Sequence, residues 1–94
     1  MTAKAAWDEA YRRYGHLADT TFKVVDIDVG GHYDHRYACT LEPLSGDGGR
    51  ITVFIQCDQA GPGVAVGTAT RIWLEEKPYT PYTGYDDYIH LTVA

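Results

Sequence analysis

The sequence predicts an α+β fold, in which one N-terminal helix packs on a five-stranded antiparallel sheet. Apolar residues in the first 14 positions recur every three or four residues, which is the period of an amphipathic helix. From about residue 24 onward the apolar period falls to two, which is typical of half-buried strands. Glycine-rich breaks separate these runs, so we expect a strongly curved antiparallel meander packed against the helix.

The helix is expected to begin after Thr2 and to end at Gly15. Threonine is a favoured N-cap residue, and glycine is favoured just beyond a helix C-terminus. The apolar stripe of the helix consists of Ala3, Ala6, Trp7, Ala10, Tyr11 and Tyr14. Because Trp7 is the largest of these, it is expected to anchor the helix in the core.

Five alternating runs predict the strands. They lie at residues 24–29, 33–41, 51–57, about 66–75 and 89–93. A three-residue turn at 30–32 places all the apolar side chains of the first hairpin on one face, and a one-residue slip would move them to the other face. The expected pairs are Val29–Tyr33, Ile27–His35 and Val25–Tyr37 in the first hairpin, and Cys39–Val53 and Leu41–Ile51 in the second.

The outer face of this sheet is expected to be polar with one exception. In the expected register, Val24, Ala38 and Phe54 form an apolar row across three strands. An exposed apolar row beside a short sheet edge is typical of a protein–protein interface, and symmetric dimers are the commonest oligomers. The row therefore predicts a homodimer.

Two architectures remain open for a sheet with this curvature. It can wrap around the helix as a half-barrel, as in cystatin-like folds, or close as a small barrel, as in oligonucleotide/oligosaccharide-binding folds. Both are comparisons of architecture, and no motif in the chain identifies a family.

Composition restricts the classes of function. Residues 1–94 suffice for a single domain, and the formal net charge of −5 argues against general nucleic-acid binding. The acidic balance favours a partner with a basic surface. No apolar run is long enough to span a membrane, no signal peptide is recognisable, and the two cysteines do not form a disulfide framework. We therefore expect a cytoplasmic protein with reduced thiols.

Catalytic and metal-binding patterns are weak. On a strand, His32 and His35 would point to opposite faces. Only Cys57 is then expected beside His35, and these two residues supply too few ligands for a zinc site. Asp28 faces Asp34 in the expected register, but exposed carboxylates are ordinary on an outer strand face. We therefore expect no enzyme activity, no metal and no cofactor. A small cofactor-free enzyme with His35 or an aspartate pair as base remains an alternative.

The most informative segment carries a tyrosine at every third position. Pro78 and Pro81 favour polyproline II, in which three residues make one turn, so the first rings would share one side. We expect an exposed recognition strip, with the two aspartates steering a basic partner toward it. The alternative is a loop folded onto its own domain with its phenols partly buried. The predicted binding residues are Tyr79, Tyr82, Tyr85, Asp86, Asp87 and Tyr88.

These observations favour a non-enzymatic binding module. A small acidic chain with a Tyr/Asp-rich loop fits an inhibitor or adaptor that docks on a macromolecular partner. Phage inhibitors of host defence belong to this class, so a viral origin is included in the expectation. The alternative is a small-ligand or nucleotide-binding barrel in which the tyrosines stack on a base.

Overall fold

The computed structural model describes residues 2–30, 35–46 and 48–94. One α-helix is followed by five β-strands, and short 3₁₀ turns lie at Gly15–Leu17, Cys57–Gln59 and Tyr85–Tyr88. The helices and strands are α1 (Ala3–Tyr14), β1 (Thr21–Asp28), β2 (Tyr37–Pro43), β3 (Ile51–Ile55), β4 (Ala69–Leu74) and β5 (Ile89–Val93). The predicted α+β class, with one N-terminal helix and a five-stranded antiparallel sheet, is confirmed.

The helix begins and ends where its capping residues predict. The Thr2 hydroxyl accepts a hydrogen bond from the Ala5 amide at 3.1 Å, which satisfies one of the free amides of the first turn. Gly15 occupies the C-cap position but keeps a right-handed φ of −59°, and the chain continues into a 3₁₀ turn. A Cβ at Gly15 would lie 3.2 Å from the Tyr11 ring, a tight contact that a small shift of this exposed side chain would relieve.

The strand order β3-β2-β1-β4-β5 makes the predicted meander wrong. β1, β2 and β3 are consecutive neighbours, but β4 returns to pair with β1, which is a Greek-key connection. After β3 the chain turns at Cys57–Gln59 and reaches the far edge of the sheet, where the Gly61 amide donates to the Leu91 carbonyl at 2.8 Å. A single parallel bridge between Ala60 and Leu91 forms there, and the described strands do not close into a barrel.

The predicted register of the first hairpin is also wrong. Ile27 pairs with Cys39 and not with His35, because β1 ends at Asp28 and β2 begins only at Tyr37. The pairing also shifts by one residue between Val24 and Asp26, which forms a β-bulge. The expected Val29–Tyr33 pair involves a residue outside the described ranges. The second hairpin has the predicted register, with Cys39 opposite Val53 and Leu41 opposite Ile51.

The bulge removes the apolar row from which a homodimer was expected. Because one extra residue is inserted at Val25, Val24 turns to the inner face, where it pairs with Leu41 and is fully buried. Ala38 and Phe54 still pair across β2 and β3, and both are at least partly buried. An exposed row across three strands therefore does not exist.

Among the described residues, the core consists of two apolar clusters joined through Leu74. The larger lies on the inner face of the sheet and contains Phe22, Val24, Cys39, Leu41, Val53, Ile55, Ile72, Ile89 and Leu91. The smaller joins α1 to the turn before β5 through Ala6, Ala10 and Tyr88. Trp7 packs against this smaller cluster and is half-buried, so it anchors the helix to the Tyr85–Tyr88 turn and not to the centre of the sheet.

Candidate functional site

The four tyrosines of the C-terminal segment lie in different environments. Tyr82 is 93% exposed and Tyr79 is 36% exposed, whereas Tyr85 is half-buried and only 2% of Tyr88 is exposed. The segment ends in the Tyr85–Tyr88 turn, so its three-residue spacing does not continue as one extended strip. Of the predicted binding tyrosines, the structure therefore brings Tyr79 and Tyr82 to the surface.

A short hydrogen-bonded turn presents Tyr82. The Thr83 amide donates to the Thr80 carbonyl at 3.0 Å, and the Thr80 amide donates to the Thr83 hydroxyl at 2.9 Å. Pro81 and Tyr82 occupy the two central positions between these threonines. Two reciprocal hydrogen bonds and one proline restrict the backbone on both sides of the exposed ring.

Asp86 and Asp87, which were expected to flank the strip on the surface, are buried. Asp87 forms an ion pair with Arg36, and its second carboxylate oxygen accepts a hydrogen bond from the Gly84 amide at 2.7 Å. A carboxylate that is buried and paired projects little charge into solvent. Asp87 is therefore poorly placed to steer a partner, and Asp86 is also buried.

Gln59 extends this buried ion pair into a network. Its amide nitrogen donates to the Asp86 and Ile89 carbonyls at 2.7 and 2.8 Å. Its amide oxygen accepts from the Gln56 amide at 2.8 Å and from the Arg36 guanidinium at 3.1 Å. The network thereby joins the Cys57–Gln59 turn to the Tyr85–Tyr88 turn.

The network and one backbone hydrogen bond hold the two ends of residues 75–88, which we call the tyrosine loop. The Arg36 guanidinium also donates to the Phe54 carbonyl at 3.2 Å, which connects the loop to the end of β3. At the other end, the Glu75 amide donates to the Tyr88 carbonyl at 2.9 Å. Residues 75–88 are therefore anchored where they leave the sheet and where they return to it, and Tyr82 lies at the exposed tip between these points.

The phenols near this loop are held in the neutral state. Burial raises the pKa of Tyr14 to about 12, with further contributions from Asp86 and Tyr85. Burial also raises the pKa of Tyr88, and Tyr79 and Asp87 add to the effect. Both phenols are therefore uncharged over the whole neutral range.

A second exposed aromatic surface lies between α1 and β4. A groove of about 360 Å³ is lined by Trp7, Tyr11, Tyr14, Gly15, Ala18, Trp73 and Leu74. Tyr11 is 64% exposed and Trp73 is 45% exposed. Trp73 projects from the outer face of β4, and the His90 ring lies 5.3 Å from it. We call these residues the aromatic groove.

Sequence reasoning missed the aromatic groove although one signal for it was present. In β4 the residues alternate, so Ile72 and Leu74 point inward whereas Arg71 and Trp73 point outward. An outward tryptophan is a stronger indication of binding than an inward one. Tyr11 was assigned to the buried stripe of the helix, but in the structure it lies on the edge of that stripe.

The candidate catalytic residues within the described ranges do not converge. Among the described residues, no group of three histidine, cysteine, aspartate or glutamate side chains is placed to hold a metal ion. His35 is exposed and does not pair with β1, and Asp28 pairs with Ala38. His32 and Asp34 lie outside the described residues. Cys57 is exposed, whereas burial and the nearby Asp26 raise the pKa of the Cys39 thiol.

Within the part of the chain that the structure covers, no helix is both long and apolar enough to cross a lipid bilayer. Comparisons with known proteins give no further assignment. No family model, no curated protein and no solved structure matches the chain.

Proposed function

We propose that the chain is a non-enzymatic binding module that docks on a macromolecular partner through Tyr82 and Tyr79. The observation that carries this proposal is the 93% exposure of Tyr82 at the tip of a loop whose two ends are fixed to the fold. A large aromatic ring in full contact with water has no role in folding, but it provides contact area for a partner.

The anchored loop favours binding because little conformational freedom is lost when the partner binds. The Thr80–Thr83 hydrogen bonds and Pro81 restrict the tip, and the Arg36–Asp87 pair restricts the base. A loop that is already in its binding conformation avoids much of the entropy cost of association. Tyrosine adds to this advantage because its side chain has only two rotatable torsions.

The charge of the chain favours a partner with a basic surface. The formal net charge is −5, and the exposed acidic residues Asp26, Asp28 and Glu42 lie on the outer faces of β1 and β2. These residues, and not the buried Asp86 and Asp87, would accelerate encounter with a cationic protein. An acidic module of this kind is suited to act as an inhibitor or adaptor, including one encoded by a phage.

Site-specific crosslinking tests the proposal. The photoreactive residue p-benzoylphenylalanine replaces Tyr82, and crosslinked proteins from a lysate of the source cells are identified by mass spectrometry. The matched control places the same residue at Leu44, which is exposed on the loop after β2. We expect a protein that crosslinks from position 82 and not from position 44. Equal crosslinking from both positions, or none from position 82, would contradict the proposed site.

The Greek-key strand order supports a second candidate function. In partly open five-stranded Greek-key barrels of the oligonucleotide/oligosaccharide-binding type, the loops after the first and fourth strands bind ligands. Here the loop after β4 is the one that carries Tyr79 and Tyr82. The net charge of −5 disfavours long nucleic acids, so the ligand would be a single nucleotide stacked on a tyrosine.

Nucleotide titration separates the two candidates. NMR spectra of labelled protein are recorded with adenosine, guanosine, cytidine and uridine monophosphates. Saturable shifts at the amides of Tyr79 and Tyr82 would favour the nucleotide site. Spectra that do not change at millimolar nucleotide would leave the protein-binding module as the function of this loop.

A further inference from the structure

We propose that the cleft between the first turn of α1 and the start of the tyrosine loop binds a free α-amino acid with an apolar side chain. The cleft has a volume of about 290 Å³ and is lined by Ala3, Lys4, Trp7, Glu76, Lys77 and Tyr88. We call it the α1 cleft. Neither Tyr79 nor Tyr82 lines it, so this second site goes beyond the proposed function and takes a small molecule in place of a macromolecule.

The hydroxyl of Tyr88 supplies the first polar contact in the α1 cleft. Only 2% of Tyr88 is exposed, yet the residue lines the cleft. Within the described ranges, no residue forms a hydrogen bond with this hydroxyl, and its oxygen is not completely enclosed. Buried polar groups ordinarily have a hydrogen-bonding partner. The open side of this oxygen therefore marks a position at which a ligand in the cleft can supply that partner.

The same hydroxyl is a suitable donor for a carboxylate. Burial raises the pKa of Tyr88, and Tyr79, Asp87 and Glu76 add to the effect, so the phenol keeps its proton at neutral pH. An ionised carboxylate only accepts hydrogen bonds, and bonds to an ionised acceptor are stronger than those between neutral groups. The first turn of α1 also favours a carboxylate here, because the N-terminal end of a helix carries partial positive charge.

The charges at the rim of the α1 cleft match a zwitterion. Glu76 and Lys77 are both exposed, and neither forms an ion pair with any described residue. The third charged residue of the lining, Lys4, already pairs with Asp8 at 2.6 Å. One carboxylate and one ammonium therefore remain to bind a ligand that carries one charge of each sign. An α-amino acid satisfies them with its carboxylate on Lys77 and Tyr88 and its ammonium on Glu76.

The rest of the lining sets the size and polarity of the ligand. Trp7 is half-buried and meets the Tyr88 ring edge-on at 5.4 Å, and Ala3 adds a methyl group, so this part of the lining is apolar. Ligand pockets have volumes from about 300 Å³ upward, so a cleft of about 290 Å³ suits a single amino acid and not a longer peptide. An apolar side chain packed against Trp7 would gain by leaving water.

An NMR titration of the pure labelled protein tests the proposal. The probe is L-phenylalanine, and the readout is the indole N–H resonance of Trp7, with that of Trp73, which does not line the α1 cleft, as internal control. We expect a saturable shift for Trp7 with a Kd of about 1 mM or lower, and a much smaller shift for Trp73. Phenylalanine amide lacks the carboxylate and N-acetylphenylalanine lacks the ammonium, so each should bind at least about tenfold more weakly.

Three variants assign the contacts. Tyr88→Phe keeps the ring and removes the hydroxyl, so it should weaken binding of phenylalanine by about threefold to tenfold. Lys77→Gln should weaken binding of phenylalanine by about threefold to fivefold but leave that of the amide unchanged. Glu76→Gln should have the same effect on phenylalanine but spare N-acetylphenylalanine. The matched control is Lys23→Gln, which changes an exposed lysine outside the cleft and should bind as the wild type does.

The unequal response to the three probes separates a lost contact from a general loss of structure, which would weaken all of them alike. Three outcomes would overturn the proposal. The first is a Trp7 resonance that does not move at phenylalanine concentrations up to about 10 mM. The second is equal binding of the three probes. The third is phenylalanine binding by Lys77→Gln and Glu76→Gln that is as tight as that of the wild type.

Discussion

The guanidinium of Arg36 and the carboxylate of Asp87 form a buried ion pair between residues 51 positions apart in the chain. Arg36 immediately precedes β2, and Asp87 belongs to the turn that leads into β5. The pair therefore connects segments next to β2 and β5, two strands that β1 and β4 separate in the sheet. It also holds the base of the tyrosine loop. A buried charge without its partner is costly, so this relationship can be tested by removing either side.

Arg36→Ala is expected to destabilise the protein by about 3–5 kcal/mol, because it leaves the Asp87 carboxylate buried without its cation. The measurement is urea unfolding followed by tryptophan fluorescence. The double variant Arg36→Met with Asp87→Leu removes both charges and fills similar volume, so it should lose less stability than Arg36→Ala. A single variant as stable as the wild type would show that the ion pair does not anchor the loop.

Trp7→Ala is expected to cost less than the removal of a fully buried tryptophan. Trp7 is half-buried and meets the Tyr88 ring edge-on, with 5.4 Å between centroids and 88° between planes. We expect a loss near the lower end of the range of about 3–5 kcal/mol for aromatic-to-alanine changes. Trp7→Phe should keep the edge contact and most of the stability. A melting temperature of Trp7→Ala within a few degrees of wild type would mean that α1 is peripheral.

Stability should fall as the pH rises from about 10 to about 12. Burial raises the pKa of Tyr14 from 10.0 to about 12, so the folded state favours the neutral phenol. The stabilising effect is complete below the unfolded pKa and is lost as pH rises through the folded pKa. Urea unfolding at a series of alkaline pH values gives the slope of the unfolding free energy against pH. The unfolding free energy of Tyr14→Phe should decline less steeply with pH. A slope identical to that of the wild type would show that Tyr14 does not cause the alkaline loss of stability.

Tyr82 and Tyr88 should respond oppositely to alanine substitution. Tyr82 is almost wholly exposed, so Tyr82→Ala should change the free energy of unfolding by no more than about 0.5 kcal/mol. Tyr88 is buried between α1 and the sheet, so Tyr88→Ala should cost about 3–5 kcal/mol. Thermal melting of the two variants side by side gives the comparison. A large loss for Tyr82→Ala would mean that its ring packs on the fold.

Features that depend on local chemistry were predictable from the sequence. The bounds of α1 follow from Thr2 and Gly15, and the register of β2 and β3 follows from the alternation around Cys39 and Val53. The strand order was not predictable, because the placement of β4 beside β1 is decided by packing between distant segments. The bulge at Val25 has no sequence signal, since valine is equally suited to a regular strand.

The candidate site likewise combines features that the local sequence predicts with features that depend on distant residues. Tyr79 and Tyr82 are exposed as expected, but Pro81 occupies a central position of the Thr80–Thr83 turn, so the predicted extended strip does not continue past it. Asp87 was expected at the surface because aspartate is rarely buried without a partner, and its partner Arg36 is remote in sequence. Gln59, which completes the network, lies in a turn where a polar residue would ordinarily face solvent.

The affinity of Tyr82→Ala for the partner captured by crosslinking tests the central claim most directly. Isothermal titration calorimetry compares this variant with the wild type and with Tyr82→Phe, which keeps the ring. The account predicts that Tyr82→Ala binds at least about tenfold more weakly at an unchanged melting temperature, and that Tyr82→Phe retains most of the affinity. An affinity for Tyr82→Ala equal to that of the wild type would contradict the proposed recognition role.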